Sequence, residues 1–491
     1  MYQIIFRICP SKFKASTIEL EGQAVRMEAA LMIDIGSTFT KACAIDFLEE
    51  KILATVCTPS TTDTNVSEGI EKAIQLVNTV VQRKIDYKIR LASSSAAGGL
   101  RIVVVGLVPE LTVTAGKLSA YNAGAKIVGT YSYKLNKYEI IEIENLNPDI
   151  LLFVGGTDGG NEETLLWNAD KIAKLEINTP IIFGGNKVIA AEVKAILKKN
   201  GKTVFLSENV LSQIGKISTV AVKEIIRKIF IERIIISKGI GKARHYVDKD
   251  IIPTPLAVFN AIKLLSSGTD NGKGVGELIA VDIGGATTDV YSSASGNPTL
   301  DGTTLKGLPL PYDMRTVEGD LGLRINATTT IKEANLNNIQ KSRTLENIDL
   351  TPIVKKFSNN ITTKPETDIE KIVDLEIASY AIQIALKRHV GYLEKQYTPL
   401  GEINIQYGKD LTNIKTVVCT GGLFSHTNER ELFEMLNRSI SDKYEPFCLK
   451  PKDPDYFIDN EYILYAMGLL SIKYPDKALR ILKRKLKKIQ E

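Results

Sequence analysis

Histidine is nearly absent: only His245, His389 and His426 occur in 491 residues, far apart in the chain. The five cysteines, Cys9, Cys43, Cys57, Cys419 and Cys448, form no C-x-x-C pair and show no metal-binding spacing. A soft-ligand metal centre therefore has no ligand set here. Long apolar runs are missing too. No stretch reaches the length that crosses a bilayer and no secretory signal is seen, so reduced thiols in a cytoplasmic protein are expected. Charge of one sign is scarce: a net +5 over this length specifies no nucleic-acid or membrane partner. Its one local concentration, Arg480 to Lys488 (RILKRKLKK), reads as a solvated helix end, with contact to an anionic surface as the other reading. His389 falls in a helical stretch, where a structural role is expected.

What is present is ordinary in bulk and specific in pattern. Hydrophobic residues make up 44% and charged residues 24%, as in globular proteins, and the length calls for two or more domains. Leu31 to Phe47, LMIDIGSTFTKACAIDF, reads as an apolar strand, a tight polar turn and a returning strand. Asp34 sits at the strand tip, Gly36, Ser37 and Thr38 make the turn, and Lys41 returns seven residues after Asp34. Glycine lets main-chain N–H groups approach an anion, and the hydroxyls add donors. Such a set suits Mg²⁺-phosphate, with Asp34 facing the metal through water and Lys41 the phosphate oxygens. An ordinary hairpin uses the same residue types.

A second copy separates these readings. Leu278 to Ser292, LIAVDIGGATTDVYS, repeats the strand, with Asp282 at its tip, then Gly284, Gly285, Ala286 and Thr287, then a returning strand. Two such hairpins point to two similar half-molecules sharing one cleft, with Asp34 and Asp282 as metal-facing carboxylates. A third element, TVVCTGGLF from Thr416 to Phe424, is a strand opening onto Gly421, Gly422 and Leu423.

In this order the three resemble the phosphate-1, phosphate-2 and adenosine motifs of the actin-like superfamily of chaperone ATPases and sugar kinases. The resemblance implies an α/β fold of two actin-like (ribonuclease-H-like) lobes around a nucleotide cleft, with ATP and Mg²⁺ bound there. Relatives carry an acid near the start of the first connecting helix, expected here over Val258 to Leu265. This chain has Thr254 there, with Asp248 and Asp250 upstream, so the water-positioning residue is open. Glu318 and Asp320, in RTVEGDLGLR, are candidates to reach Mg²⁺ or water, Glu318 as a catalytic residue; a helix cap is the other reading.

The remaining chain sets the domain plan. Residues 1–26 lack periodicity and read as an N-terminal arm, disordered or the product of a misassigned start. Residues 27–252 read as the first lobe with an inserted α/β segment, since strands and helices alternate from Asp149 onward. The Gly-dense loop after Asp149 to Phe153, Gly155 to Asn161, lacks the spacing of a P-loop. Residues 253–472 read as the second lobe. There Ile369 to Leu393 is a long helix and Glu461 to Ile472 a closing helix, with Ala466 and Gly468 small for close packing. Residues 473–491 read as a basic tail.

The detailed wording, DIGSTFTK, LASSSAAGGLR, LFVGGTDGGN, VDIGGATTDVYS, TGGLF and YILYAMGLLS, resembles the glutamate mutase accessory family, often called MutL. It spans roughly Ala30 to Ile472. That resemblance implies an ATPase acting as accessory or reactivating chaperone of an adenosylcobalamin-dependent mutase, its partner, exchanging damaged cobalamin. A small-molecule kinase of the same fold and an actin-like filament protein are the alternatives. The isolated cysteines argue against a related class of activators, which needs an iron–sulfur ligand pair.

Overall fold

The computed structural model describes residues 27–490 except 37–38, 62–64, 84, 96–99, 236–239, 335–348, 362, 400, 426 and 442–444. The expected N-terminal arm therefore lies outside the described residues. No described helix is long and apolar enough to cross a membrane.

Two sheets repeat one strand order. In the first lobe, Met27–Ile35 pairs antiparallel with Phe39–Asp46, which pairs antiparallel with Ile52–Pro59. On the other side of Met27–Ile35, Ile85–Ser94 and then Ile252–Pro253 run parallel to it. In the second lobe, Leu278–Ile283 pairs antiparallel with Thr288–Ser293, which pairs antiparallel with Asp313–Glu318. Thr416–Thr420 and Asp455–Ile458 extend that sheet in parallel. The duplication read from two hairpins thus extends to five strand positions. Residues Ala29 to Ile33 are wholly buried, because both faces of this strand are covered.

Helix Thr254–Ser267 crosses from the first lobe to the second, and helix Leu464–Leu470 returns. Both lie between the sheets, in a core joining Met32 and Leu91 of one lobe to Ala280 and Val418 of the other. Gly468 stands at their crossing: a Cβ there would lie 1.7 Å from the Ala257 carbonyl oxygen. The small-residue reading of the closing helix is accounted for by this contact. The crossover helix begins four residues earlier than expected, because Pro255 is suited to a first helical turn.

The insert is a parallel sheet built from Arg101–Val105, Lys126–Tyr131, Ile150–Phe153, Ile181–Phe183 and Val204–Leu206 in the doubly wound order 2-1-3-4-5. One face shares a core with the first lobe and the other is covered by its own helices. In its Gly-dense loop, Gly155, Gly156 and Gly159 have φ of 147°, 67° and 77°, angles that favour glycine. Loop closure accounts for that composition.

Two segments depart from expectation. The long helix spans Asp368–His389, and at Gly391 a Cβ would lie 2.3 Å from the Tyr407 carbonyl oxygen. The C-terminal segment is folded in and is no tail, while Arg480, Lys483 and Arg484 stand exposed on a helix, as the helix-end reading expects. Helix Pro475–Lys485 buries Ala478, Leu479, Ile481 and Leu482, and Lys487–Ile489 pairs antiparallel with Asp455–Ile458. Its cations meet acids distant in sequence: Lys477 and Arg480 hold Glu50, and Lys488 holds Asp455. Local charge counting cannot register such pairs.

The Gly468→Val variant should lose about 1–3 kcal/mol of stability, or fail to fold, because the backbone crossing leaves no room. Equilibrium urea unfolding measures this; a midpoint unchanged from the parent would show the crossing to be loose.

Candidate functional site

The strand tips of both lobes converge at the start of the two connecting helices. Asp34 ends its strand almost fully buried, opposite Lys41 in the hairpin register. Its Oδ1 accepts the Ser93 hydroxyl at 3.0 Å and the Thr254 hydroxyl at 2.5 Å. Thr254 is the first residue of the crossover helix, so the first hairpin is tied to the interlobe connection. Asp248 is used elsewhere, accepting the Arg90 amide at 2.7 Å, and Asp250 faces Arg244. No acid opens this helix.

The two hairpins close alike. The Gly36 amide donates to the Phe39 carbonyl and the Gly284 amide to the Thr287 carbonyl, both at 2.9 Å. At Gly36 a Cβ would lie 2.6 Å from that Phe39 oxygen, so glycine is required. Ser37 and Thr38 lie outside the described residues. Around the second hairpin, Leu323, Arg324 and Asn326 take the carbonyls of Gly284, Gly285 and Ala286. The amides of Gly285, Ala286 and Thr287 donate to no described residue, leaving three adjacent donors.

Asp282 pairs in register with Asp289 on the returning strand and with Thr420 on the neighbouring one. Burial pushes its carboxyl up to about 8; Asp289, Asp459 and Asp34 push it the same way, and Lys41 opposes them. The two hairpin aspartates therefore act on each other across the cleft, with Lys41 between them electrostatically.

Two residues that the sequence reading missed complete the cluster. Asp459 follows strand Asp455–Ile458 and accepts the Thr420 hydroxyl at 3.1 Å and the Ile463 and Leu464 amides at 2.9 and 3.0 Å. It thereby caps the closing helix. Tyr462, at φ 54°, lays its ring against Lys41, whose Nζ stands 3.4 Å from the ring centroid. Asp282, burial and Asp34 hold the Tyr462 hydroxyl well above its usual range. The available signal for Asp459 was an acid ending an apolar strand, as at Asp34 and Asp282, though without a following glycine.

Gly421, at φ 135°, packs against the second hairpin: a Cβ would lie 2.3 Å from the Ile283 carbonyl oxygen. A Cβ on Gly422 would meet nothing within 4 Å, and Leu423 is buried. Beside this turn is a cavity of about 330 Å³, lined by Phe424, Asn428, Leu432, Ile458, Asn460 and Ile489.

The structure does not bring Glu318 to this group. Its carboxylate accepts from Arg388 at 2.5 Å, two strands away, and it lines a different cavity. His389 has the expected structural role, with Thr316 and Ser292 hydroxyls each 2.8 Å from its ring nitrogens. Burial lowers its imidazole to about 3, so it is neutral near pH 7.

Among the described residues, no group of three or more His, Cys, Asp or Glu side chains is arranged to hold a metal ion. The oxygen donors converging here fit instead an ion such as Mg²⁺, which keeps several waters and takes one or two carboxylates plus phosphate oxygens.

A family model described as MutL protein matches residues 30–486. The chain belongs to the MutL protein family. It is 42% identical over 464 residues to the curated Protein MutL of Clostridium tetanomorphum, covering 94% of this chain and 100% of that relative. Solved structures similar to this member of the family include the glycerol kinase of Plasmodium falciparum with ADP. That match has 10% identity, 94% and 93% coverage of this chain and the other, and a TM-score of 0.34. The gluconate kinase of Lactobacillus acidophilus matches at 10% identity, the same coverage and a TM-score of 0.33. Likenesses at that level carry no chemistry across to this chain.

A carboxyl raised in the folded state is a stability penalty that grows with pH between its unfolded value and the raised one. For Asp282 that window runs from 3.8 to about 8. Asp282→Asn should therefore melt above the parent protein, with a gap that widens from pH 5 to pH 8 and then levels off. Thermal unfolding at several pH values without divalent ions checks this. A gap that shrinks as pH rises would contradict the buried, repelled state of Asp282.

Proposed function

We propose that this protein binds Mg²⁺-ATP in the interlobe cleft and hydrolyses it slowly to remodel a partner, as accessory or reactivating chaperone of an adenosylcobalamin-dependent mutase. The observation that carries the nucleotide reading is the meeting of two like hairpins. Each brings a strand-tip carboxylate to a place where the carboxylates repel unless a cation joins them. Lys41 and the free amides of Gly285, Ala286 and Thr287 hold phosphate oxygens. Asp34 and Asp282 hold the ion through its water shell, and the open side of Gly422 with its neighbouring cavity takes the nucleoside. Ser37 and Thr38 have the same role at the first hairpin as sequence reading assigned them.

Thr254, where relatives carry an acid, favours slow turnover, since its hydroxyl is committed to Asp34. The nucleotide then acts chiefly as a clamp between lobes that meet through two helices. Closing that clamp does work on a partner only if the partner prefers one lobe arrangement. Support for a mutase as that partner comes from the MutL family, whose accessory role gives the partner class.

Mg²⁺-ATP should stabilise the protein by about 2.7 kcal/mol at a hundredfold excess over its dissociation constant. Asp34→Asn and Asp282→Asn should lose most of the Mg²⁺ dependence. Hydrolysis by the protein alone should fall well below the ~1–100 s⁻¹ of kinases. With an inactivated adenosylcobalamin mutase, ATP, Mg²⁺ and fresh cofactor, turnover should return, and poorly with Asp282→Asn. Rapid phosphorylation of a sugar or carboxylic acid without mutase rescue would replace this reading by the kinase one. ATP-dependent sedimentation would favour the filament reading.

A further inference from the structure

Glu318 belongs to a second cavity, of about 780 Å³, where the insert meets the second lobe. Leu118, Leu146, Leu310 and Val317 give it apolar walls, and Arg101, Lys117, Lys126, Arg388, Glu318 and Asp320 supply its charges. Those charges do not cancel. Arg388 is taken up by Glu318 at 2.5 Å and Glu333 at 3.3 Å. The Arg101 guanidinium donates to the Leu146 and Asn147 carbonyls at 2.7 and 3.2 Å, and Lys126 Nζ to the Gly319 carbonyl at 2.7 Å. These acceptors are neutral and leave both positive charges standing. Lys117 donates a hydrogen bond to no described residue, though its charge acts on Glu318. Four cations and two carboxylates thus line a space large enough for a metabolite.

Burial lowers the affinity of Lys126 for its proton and the neighbouring Arg101 adds to this, while Asp320 and Asp289 oppose it. The seam itself is built. Arg315, almost fully buried, binds Asp289 through Nε at 2.8 Å. Its Nη1 donates to the Tyr121 and Ala125 carbonyls at 3.0 Å, at the end of insert helix Thr114–Asn122. Tyr121 and Lys126 line the cavity on either side of that latch.

We propose that this cavity is a second ligand site, separate from the cleft, for a small organic dianion: a phosphate monoester or a dicarboxylate. Its apolar wall takes the carbon body, while Lys117, Lys126 and Arg101 take the charged groups. Because the insert and the second lobe both line it, occupancy favours the docked arrangement of the two. The assignment does not depend on what the cleft binds.

Titration calorimetry of the full chain with sn-glycerol 3-phosphate and with succinate tests it. At least one probe should saturate with one site per chain, and which one does identifies the anionic group. Lys117→Gln should weaken that probe about tenfold, whereas Asp320→Asn, which removes a repelling charge, should tighten it. Asp282→Asn, altered only in the cleft, should bind it as the parent does. The proposal is overturned if neither probe saturates, or if Lys117→Gln and Asp320→Asn leave affinity unchanged. Loss of binding in Asp282→Asn would place the probe in the cleft and overturn it equally.

Discussion

Everything in this molecule hangs on one close contact, the crossing of two helices at Gly468 over the Ala257 carbonyl. Only a residue without a side chain lets the helices approach so closely, and only that approach lets both sheets bury their inner faces on the same pair. The crossover helix opens with Thr254, which donates to Asp34; the closing helix is capped by Asp459, which also binds Thr420. Packing at the centre thus sets the positions of acids at the mouth. A change at the crossing moves the site, though it touches none of its groups.

The mouth is held together against its own electrostatics. Asp34, Asp289 and Asp459 all act against the charge of Asp282, and Lys41, itself pressed on the Tyr462 ring, opposes them. Burial and repulsion both push the Asp282 carboxyl up, so on the proposed function a divalent ion would relieve that repulsion and displace a proton as it binds. Asp289 is steadied from behind by Arg315, which is anchored in turn on the carbonyls of the insert. Arg315 thereby ties the returning strand of the second hairpin to the insert.

The insert gives the first half its bulk and much of its individuality. Its sheet shares a core with the first lobe, yet its helix Thr114–Asn122 reaches the second lobe through Arg315, and Lys126 does so through Gly319. It thus bridges both halves independently of the two central helices.

The two hairpins, the Gly421–Gly422 turn and the small residues of the closing helix were legible in the sequence. Each is local: a strand-tip Asp, a Gly whose Cβ has no room, or a helix face, all read within a few residues. The α/β class and the doubling of the lobes followed from repeating such local units. What lay beyond the sequence was set by contacts between distant segments. Asp459 lacks the glycine that marked its counterparts, and its role came only when strand Asp455–Ile458 was laid beside Thr416–Thr420. Glu318 sits in an acidic Gly-rich turn that read as part of the cleft, but one intervening strand, Thr288–Ser293, separates it from the strand of Asp282, and it pairs with Arg388 instead. The C-terminal segment read as a tail because Glu50 and Asp455, which pair with Arg480 and Lys488, lie far from it in the chain. Sequence determined which local devices exist; tertiary structure decided which charges meet, because charge pairing depends on distance in space and the chain records only distance along itself.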